Sequence, residues 1–548
     1  MRPADRSDLW WRSAVIYCLD IKKYQDSDGD GIGDIDGLLD RIEYLADLGV
    51  TCLWLMPFQP TPDRDDGYDV TDYFGVDSRL GDLGRFVELI RVAHDRGIRV
   101  IIDLVINHTS DQHPWFVDAR SSRDARLRDF YVWQDEPTDD AGSNVFPTEE
   151  DGVWQYDEQT GQYYLHHFHH HQPDLNHSNP EVRSEISRIL GFWLELGADG
   201  FRIDAVPFLI HPPGAGNQSD PHAFLRELRR FVARRYGGAA LLGEVGLNHQ
   251  DQLDYFGNPG VELDLQFDFE TAEAAFLSFV RHDPAPLATV LRELPAVDVS
   301  QGWASFLRTH DELNLELLGD AKEEVFEALS PDPRQRVYGR GIVRRLAPML
   351  GGDQRRLRLA YSLLFSLPGA PVLYYGEEIG MGEPAGTEDR SGVRTPMQWH
   401  SGRNGGFSTA RRDDLVEQLP EGDYGPERVN VYDQLHDPDS LLSFLKTLIG
   451  EYRATPEIAF GDLAVLETGE GSALAHAAVS DGAVFVALHN FADHDCTATV
   501  DVGSLSAQIA SADFHDLLQP ESVTRPENGQ LQVELGPYGF RWLRATRV

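Results

Sequence analysis

Eight short apolar runs, rich in β-branched residues, recur along this 548-residue chain and constrain its fold more than any other feature. Amphipathic helical patterns lie between most of them, for example at 37–48, 84–97, 180–196 and 350–366. Near-continuous apolar strands that alternate with helices are typical of a parallel sheet buried on both faces. Eight such strands in one region favour a closed (β/α)₈ TIM barrel over an open doubly wound sheet. The predicted strands are 14–21, 50–56, 99–106, 199–205, 239–245, 261–268, 303–309 and 371–376.

Two segments interrupt this alternation. Residues 109–171 are polar, aromatic and rich in Asp, Gly and His, which predicts a small domain inserted after the third strand. From about residue 458 the pattern changes to alternating strands separated by turn residues, which predicts a C-terminal antiparallel β-sandwich. The predicted organisation is a first barrel part at 1–108, an inserted domain at 109–171, a second barrel part at 172–457 and the sandwich at 458–548.

The charge balance excludes several classes of partner. Asp and Glu number 90 against 48 Lys and Arg, a formal net charge of −42, which repels nucleic acids and anionic membranes. No apolar stretch approaches the length needed to span a bilayer. We therefore expect neither a nucleic-acid nor a membrane partner, and no sequence feature fixes the oligomeric state.

The start of the chain and its cysteines indicate a compartment. Residues 1–10 lack the apolar region of a secretory signal. Cys18, Cys52 and Cys496 are far apart and odd in number, which argues against a disulfide framework. The simplest expectation is a reducing cytoplasm, although a mature form that had lost its signal would look similar.

Charged residues follow four of the predicted strands, at the end where barrel enzymes place their active sites. Strand three ends at Asp103, strand four gives Arg202 and Asp204, strand five gives Glu244, and strand seven is followed by His310 and Asp311. A single acid at a strand end would more simply face solvent or cap the next helix. Four acids on separate strand ends predict one shared pocket.

Carboxyl groups in one pocket suit the chemistry of glycosyl transfer. That reaction needs one carboxylate as nucleophile or base and one carboxyl with a raised pKa as proton donor. Asp204 and Glu244, on adjacent strands, are the candidates for this pair. Arg202 lies two residues before Asp204, on the same side of its strand, and would keep Asp204 ionised. Asp311 would be a third carboxylate that stabilises an oxocarbenium-like transition state.

Four stretches contain these strand-end residues: DLVINH at 103–108, GFRIDAV at 200–206, GEV at 243–245 and RTHDE at 308–312. In their order and spacing they resemble the catalytic motifs of the α-amylase family, glycoside hydrolase family 13. The resemblance implies that Asp204 is the nucleophile, Glu244 the general acid/base and Asp311 the transition-state stabiliser. It also implies a substrate-binding set consisting of Asp65, Tyr68, Asp103, His108, Arg202, His310 and Arg394.

Further motifs resemble the exo-acting branch of that family. They are DDGYD at 65–69, QPDLN at 172–176 and RTPMQW at 394–399. The resemblance implies that Asp65 pairs with Arg394 to close the end of the pocket and that Tyr68 stacks on the sugar ring. A closed pocket of this kind accepts small α-glucosides and excludes starch.

Four more stretches look most like the trehalose synthases of the family, namely 204–209, 306–316, 341–349 and 390–399. The resemblance implies interconversion of maltose and trehalose by intramolecular glucosyl transfer through a covalent intermediate. The alternative is a hydrolytic α-glucosidase, similar to oligo-1,6-glucosidases, that releases glucose. A non-catalytic relative is disfavoured, because such relatives lack carboxylates of the triad and carry a membrane span.

The chain departs from those enzymes at three places. After the acid/base it reads Glu244-Val-Gly-Leu-Asn-His249, where trehalose synthases usually have Glu-Ala-Asn-Gln-Trp-Pro. Thr309 stands where Asn is usual, and 21–24 reads Ile-Lys-Lys-Tyr in place of an Arg-Ala-Phe or Arg-Ser-Phe ending. These positions lie around the acceptor sugar or the barrel mouth, so they bear on the acceptor and the outcome of the reaction.

A loop after the first strand predicts a metal site. Residues 26–34 read DSDGDGIGD and offer alternate carboxylates to a hard cation, which is the chemistry of calcium. It is not an EF-hand, because Gly37 occupies the twelfth loop position. The alternative is an acidic turn that caps the following helix. With the carbonyl that the family resemblance adds at Ile32, the candidate ligands of a structural Ca²⁺ are Asp26, Asp28, Asp30, Ile32 and Asp34.

The histidines at 166–171 invite a zinc interpretation, which the ligand-spacing criteria disfavour. They lack spaced partners and adjoin the QPDLN motif, and related enzymes have His and aromatic residues there without metal. No organic cofactor is expected.

Overall fold

The computed structural model describes residues 9–138, 142, 144–210, 220–257, 261–386, 388–480, 482–505, 509 and 511–546. The expectation that the chain start lacks a signal falls largely on residues 1–8, which lie outside the described residues. The strands are Ile16–Leu19 (β1), Cys52–Leu55 (β2), Arg99–Leu104 (β3), Trp133–Gln134 (β4), Trp154–Asp157 (β5), Gln162–Leu165 (β6), Gly200–Ile203 (β7), Ala240–Gly243 (β8), Leu265–Phe267 (β9), Gly302–Phe306 (β10), Leu313–Asn314 (β11), Arg336–Val337 (β12), Gly341–Ile342 (β13), Ala370–Tyr374 (β14), Asp462–Leu466 (β15), Ala473–Val479 (β16), Ala483–Asn490 (β17), Cys496–Asp501 (β18), Phe514–Asp516 (β19), Val523–Thr524 (β20), Gln530–Leu535 (β21) and Phe540–Thr546 (β22).

The α-helices alternate with the strands of the first 460 residues. They are Ile21–Tyr24 (α1), Ile35–Leu48 (α2), Leu83–Asp95 (α3), Pro114–Ala119 (α4), Pro180–Glu195 (α5), Val206–Ile210 (α6), Ala223–Arg235 (α7), His249–Phe256 (α8), Phe269–Arg281 (α9), Ala285–Glu293 (α10), Lys322–Leu329 (α11), Leu346–Met349 (α12), Gln354–Ser366 (α13), Val431–Leu435 (α14), Leu441–Ala454 (α15) and Glu457–Phe460 (α16). Side-chain caps fix where the long ones begin: Asp34, Asp82, Asn179 and Asp353 accept backbone N–H bonds at the starts of α2, α3, α5 and α13.

Eight parallel strands close into a barrel in the order β1-β14-β10-β9-β8-β7-β3-β2. Each of the eight predicted strands overlaps one of them, so the barrel prediction is confirmed. Their residues are buried almost without exception, because strands enclosed between a packed interior and surrounding helices meet water on neither face. The loops at the carboxyl ends of these strands carry the site described below.

Four smaller sheets complete the described part of the fold. β4, β6 and β5 form an antiparallel sheet within the predicted inserted domain, and β11, β13 and β12 form another after β10. The C-terminal region contains a six-stranded sheet, β15-β16-β17-β22-β19-β20, and the pair β18-β21. Alternate residues of β18 and β21 are buried, and they form a separate core with the six-stranded sheet. The predicted antiparallel C-terminal domain is therefore confirmed.

No helix in the described part of the chain is long and apolar enough to cross a membrane. Cys18, Cys52 and Cys496 are all buried and unpaired. The inserted-domain and sandwich boundaries stay predictions.

Candidate active site

Asp204, Glu244 and Asp311, three of the four strand-end acids predicted to share a pocket, meet in one cavity of about 770 Å³. Asp204 directly follows β7, Glu244 directly follows β8, and His310 and Asp311 lie in the loop after β10. The cavity wall contains nine residues relevant to the predicted chemistry, namely Asp65, Tyr68, His108, Arg202, Asp204, Glu244, His310, Asp311 and Arg390. Asp103 and Arg394, which were also predicted to bind substrate, lie behind this wall.

Arg202 connects three carboxylates. Its Nη1 donates to Asp103 Oδ1 at 2.7 Å and to Asp204 Oδ1 at 2.6 Å, while its Nη2 donates to Glu244 Oε2 at 2.8 Å. The sequence predicted the contact of Arg202 with Asp204, whereas its contact with Glu244 is seen only in the structure. One buried guanidinium thus fixes the two carboxyls of the candidate pair relative to each other.

Asp103 lies beneath the floor of the cavity, and its side chain is buried, with 2% of the residue exposed. Besides Arg202, it accepts hydrogen bonds from Trp54 Nε1 at 2.9 Å and from the Tyr68 hydroxyl at 3.1 Å. Its position suits it to orient Arg202 and Tyr68, whereas the sequence grouped it with residues that touch the substrate.

The two carboxyls of the pair have raised pKa values. The pKa of Glu244 is raised to about 7: burial in the cavity is the main cause, Arg202 opposes it, and the charges of Asp204 and Asp311 add to it. Burial likewise raises the pKa of Asp204 to about 6 against the effect of Arg202. The sequence predicted that Arg202 would keep Asp204 ionised; its charge lowers this pKa but does not cancel the effect of burial. At neutral pH, Glu244 can still carry a proton while Asp204 is ionised, as an acid and a nucleophile require.

Asp311 differs from the pair. Burial would raise its pKa, but the neighbouring His310, Arg390 and Arg394 hold it well below its usual range. Arg390 Nη1 donates to Asp311 Oδ1 at 2.9 Å and Arg394 Nη2 donates to the same oxygen at 2.8 Å. Asp311 therefore stays ionised, which suits a group that stabilises positive charge.

Tyr68 and the two histidines form one side of the cavity. The Tyr68 ring stacks on His310 with centroids 5.5 Å apart, and its hydroxyl lies 2.7 Å from His310 Nε2. His310 Nε2 is in turn 2.9 Å from Asp311 Oδ2. His108 Nε2 lies 3.1 Å from the Tyr68 carbonyl oxygen. This packing fixes a flat aromatic surface beside the candidate carboxylates.

The predicted pair of Asp65 and Arg394 is wrong. Asp65 Oδ1 is 3.1 Å from Arg390 Nη2, and Asp65 Oδ2 accepts from Gln172 Nε2 at 2.8 Å. Arg394 instead contacts Asp66 Oδ2 at 3.0 Å, together with Asp311. Both arginines belong to the 390–399 stretch, and only the fold shows that Arg390 faces the cavity whereas Arg394 lies behind it.

The outer part of the cavity wall, which we call the outer wall, consists of residues 144–147, 246–247 and 338–340. The sequence indicated only 246–247, in the altered loop after Glu244, and missed the other two segments. Phe146 lies at the centre of the outer wall: its ring stacks on His169 at 4.4 Å, contacts Tyr338 at 4.9 Å and lies 4.9 Å below the Arg390 guanidinium. These residues come from the inserted domain and from loops, so no strand-end pattern marks them.

Part of the predicted metal loop converges. Carboxylate oxygens of Asp26, Asp28 and Asp34 all lie within 4.8 Å of one another, and they form the one such group of three or more found among the described residues. Asp30 is not in the group; its Oδ1 accepts from the Ile32 N–H at 2.8 Å. Asp34 also caps α2 through Gly37 N at 2.7 Å, so the alternative of a helix cap holds for this residue as well.

Comparisons with known proteins agree with this geometry. The sequence matches the family described as alpha amylase, catalytic domain, over residues 18–323 and 343–460, and a sucrose hydrolase-like C-terminal domain over 482–544. It is 38% identical to the trehalose synthase/amylase TreS of Mycobacterium tuberculosis over 99% of this chain and 91% of that protein. It is also 38% identical to the trehalose synthase of Pimelobacter sp., over 98% and 96% of the two chains. A probable α-glucosidase of Rhizobium meliloti is 34% identical over 89% of this chain and 90% of its own length.

A solved structure shows the same architecture. The trehalulose synthase MutB from Pseudomonas mesoacidophila MX-45 superposes with a TM-score of 0.79 at 25% identity, covering 98% of this chain and 99% of that one. The catalytic-domain match spans most of the chain, and residues of all four motifs meet at one cavity or directly beneath it. The chain therefore belongs to the α-amylase family.

Proposed function

We propose that this protein is a retaining enzyme of small α-glucosides that interconverts maltose and trehalose by intramolecular glucosyl transfer. The observation that carries the proposal is the bridge from Arg202 to Asp204 and Glu244 in a cavity walled on its outer side by Phe146. The near full-length likeness to trehalose synthases supports the choice of substrate.

In the first half-reaction Glu244 gives its proton to the glycosidic oxygen while Asp204 attacks the anomeric carbon. The bond to the leaving glucose breaks, and a covalent glucosyl ester forms on Asp204. In the second half-reaction the Glu244 carboxylate takes the proton from the anomeric hydroxyl of the retained glucose. That oxygen attacks the glucosyl carbon and the Asp204 carboxylate leaves, so two inversions give net retention and no water is consumed.

The surrounding residues hold the donor sugar and stabilise its charge. Asp311, kept ionised by its cationic neighbours, faces the positive charge that develops on the sugar ring. We assign Asp65, Tyr68, His108, His310 and Arg390 to binding of the donor glucose, since they line the cavity beside this group. Asp103, Arg202 and Arg394 orient these groups from behind.

The alternative is a hydrolytic α-glucosidase. It is favoured by one observation, the altered loop from Val245 to His249, which contributes Gly246 and Leu247 to the cavity wall. If this loop admits water during the lifetime of the intermediate, water replaces the glucose hydroxyl and glucose is the sole product.

We further propose that the loop at 26–34 holds Ca²⁺ through Asp26, Asp28 and Asp34. A hard cation prefers carboxylate oxygens, and three of them converge here. Burial is the main cause of a raised pKa at Asp30, and the charges of Asp28, Asp26 and Asp34 add to it. Asp30 and the carbonyl of Ile32 complete the proposed set, and the ion would stabilise the fold without entering the chemistry.

The cytoplasm is the proposed location. The three cysteines are buried and unpaired, as expected for a protein of a reducing compartment.

The decisive experiment is incubation of the purified protein with maltose, followed by anion-exchange chromatography of the sugars over time. Addition of uniformly ¹³C-labelled glucose separates transfer within the cavity from transfer to free glucose. Unlabelled trehalose that accumulates ahead of glucose is the expected result. Glucose alone would establish the hydrolase, and labelled trehalose would show exchange with the medium. The Asp204→Asn variant is the matched control for contaminating activity.

A further inference from the structure

Two adjacent buried lysines lie close to the donor end of the cavity. Lysine occurs at only four positions, 22, 23, 322 and 446, among 48 basic residues. Lys22 and Lys23 are 2% and 3% exposed, although lysine side chains almost always reach solvent. They occupy the 21–24 stretch at which the sequence departs from the family, and the catalytic steps above give them no role.

Lys22 bridges two carboxylates of one loop. Its Nζ donates to Asp63 Oδ1 at 2.7 Å and to Asp66 Oδ1 at 2.5 Å. Asp63 and Asp66 have φ angles of 62° and 52°, in the left-handed region that residues other than glycine rarely adopt. Arg79 Nη1 also donates to Asp63 Oδ2 at 2.9 Å, but among the described residues Lys22 is the side chain that pairs with both left-handed aspartates of this turn.

The same turn presents two donor-site residues to the cavity. Asp65 lies between the bridged aspartates, and Tyr68 follows Gly67, whose φ is 101°. The Tyr68 N–H donates to the Asp65 carbonyl oxygen at 2.9 Å, which links the two residues within the turn. Strained backbone of this kind persists only where surrounding contacts fix it, and such strain concentrates at functional sites.

Lys23, the second buried lysine, makes a different set of ion pairs from Lys22. Its Nζ donates to Asp66 Oδ2 at 2.8 Å and lies 3.5 Å from Asp20 Oδ2, but it makes no ion pair with Asp63. Asp66 receives a third cation, Arg394, at 3.0 Å. Loss of Lys23 leaves Asp66 paired twice and the turn still bridged, whereas loss of Lys22 removes the bridge.

We propose that Lys22 is a positioning residue for the donor sugar: by bridging Asp63 and Asp66 it fixes the strained turn that presents Asp65 and Tyr68. The inference rests on the donor site of the proposed function and is independent of whether the glucosyl group passes to glucose or to water.

The test measures binding and turnover separately. Lys22→Met keeps the length of the side chain and removes its charge, Lys22→Arg restores a cation, and Lys23→Met is the matched buried control. The probe is 1-deoxynojirimycin, a glucose mimic for the donor site, titrated by calorimetry alongside kcat, KM and Tm with maltose. We expect Lys22→Met to weaken probe binding about tenfold and raise KM similarly, with Lys22→Arg close to the original protein and Lys23→Met within about twofold.

Other outcomes overturn the inference. A purely structural lysine would lower Tm in Lys22→Met and leave probe affinity unchanged, and equal losses in Lys22→Met and Lys23→Met would remove any special role of the bridge. If Lys22→Met does not fold, Asp63→Asn carries the test, because it removes the ion pairs of Asp63 with Lys22 and Arg79 while Lys22 stays paired with Asp66. Arg79→Met, which leaves the Lys22 bridge in place, is its control. Unchanged affinity in Asp63→Asn, or an equal loss in Arg79→Met, refutes the proposal. Failure of the unmodified protein to bind the probe would instead refute the donor site itself.

Discussion

The donor side of the cavity and its outer wall are built in opposite ways. On the donor side Asp204 and Glu244 directly follow buried barrel strands, and Arg202 lies on one. Each makes charged contacts below 3 Å with its neighbours. The outer wall comes from the inserted domain and loops, and its central contacts are aromatic, between Phe146, His169 and Tyr338.

This difference separates two tasks of one enzyme. Rigid strands and ion pairs fix the groups that break and form bonds, where small displacements cost much of the rate. Aromatic contacts between loops exclude water, which decides whether glucose or water accepts the glucosyl group. The donor side should therefore set the rate, and the outer wall the product.

The largest effect is expected from the candidate pair. Asp204→Asn or Glu244→Gln should lower kcat with maltose by about a thousandfold or more, because each removes a group that forms or protonates a reacting bond. Trehalose and glucose formation should fall together. Initial rates by chromatography, with circular dichroism to confirm folding, provide the measurement. Substantial activity in either variant would refute the assignment.

A smaller effect, confined to the product, is expected from the outer wall. Phe146→Ala should raise the ratio of glucose to trehalose by about tenfold while maltose consumption changes little, because the cavity opens to water. Phe130→Ala is the matched control, since Phe130 is buried in the same segment but does not line the cavity. A similar shift in both variants would mean that general loosening of the inserted segment, and not the wall, controls the product.

The same contrast explains what the sequence could predict. Each barrel strand can be predicted because its apolar run is long enough to be recognised in the sequence. The catalytic carboxyls are then found at the ends of those runs. The sheet of β11, β12 and β13 was missed because its strands have two residues each, too few for any periodicity. It carries Tyr338 and Arg340 to the outer wall.

The sequence also could not predict which charged residues, far apart along the chain, form ion pairs with each other. Arg390 and Arg394 are four residues apart, and either could have reached Asp65. The 3₁₀ helix Arg390–Val393 turns Arg390 toward the cavity and leaves Arg394 behind it, beside Asp66. Which arginine meets which aspartate depends on more than 300 residues of intervening fold, and no local pattern contains that information.

The pH dependence of kcat/KM should report the titration of the two donor-side carboxyls and not the outer wall. Catalysis requires Asp204 ionised and Glu244 protonated, and their pKa values are raised to about 6 and about 7. As pH falls below 6 the nucleophile gains a proton, and as pH rises above 7 the acid loses one, so kcat/KM should be bell-shaped with its maximum between these values. Because Arg202 couples the two groups, the limbs report the pair as a whole. The product ratio should stay constant across the profile, and a ratio that follows the limbs would contradict the separation of tasks.

The smallest effect on chemistry is expected from the metal loop, which lies apart from both walls. Its residues do not line the cavity, but Asp34 caps α2, the long helix that precedes the second barrel strand. Removal of Ca²⁺ by a chelator should lower Tm by about 3 °C, because an ion that binds only the folded state stabilises it. The product ratio should not change, since no residue of the loop lines the cavity. Asp28→Asn, which removes one proposed ligand without removing the helix cap, should reproduce the shift and make Tm insensitive to chelator. An unchanged melting curve in both cases would leave the loop as an acidic turn whose only structural task is the cap.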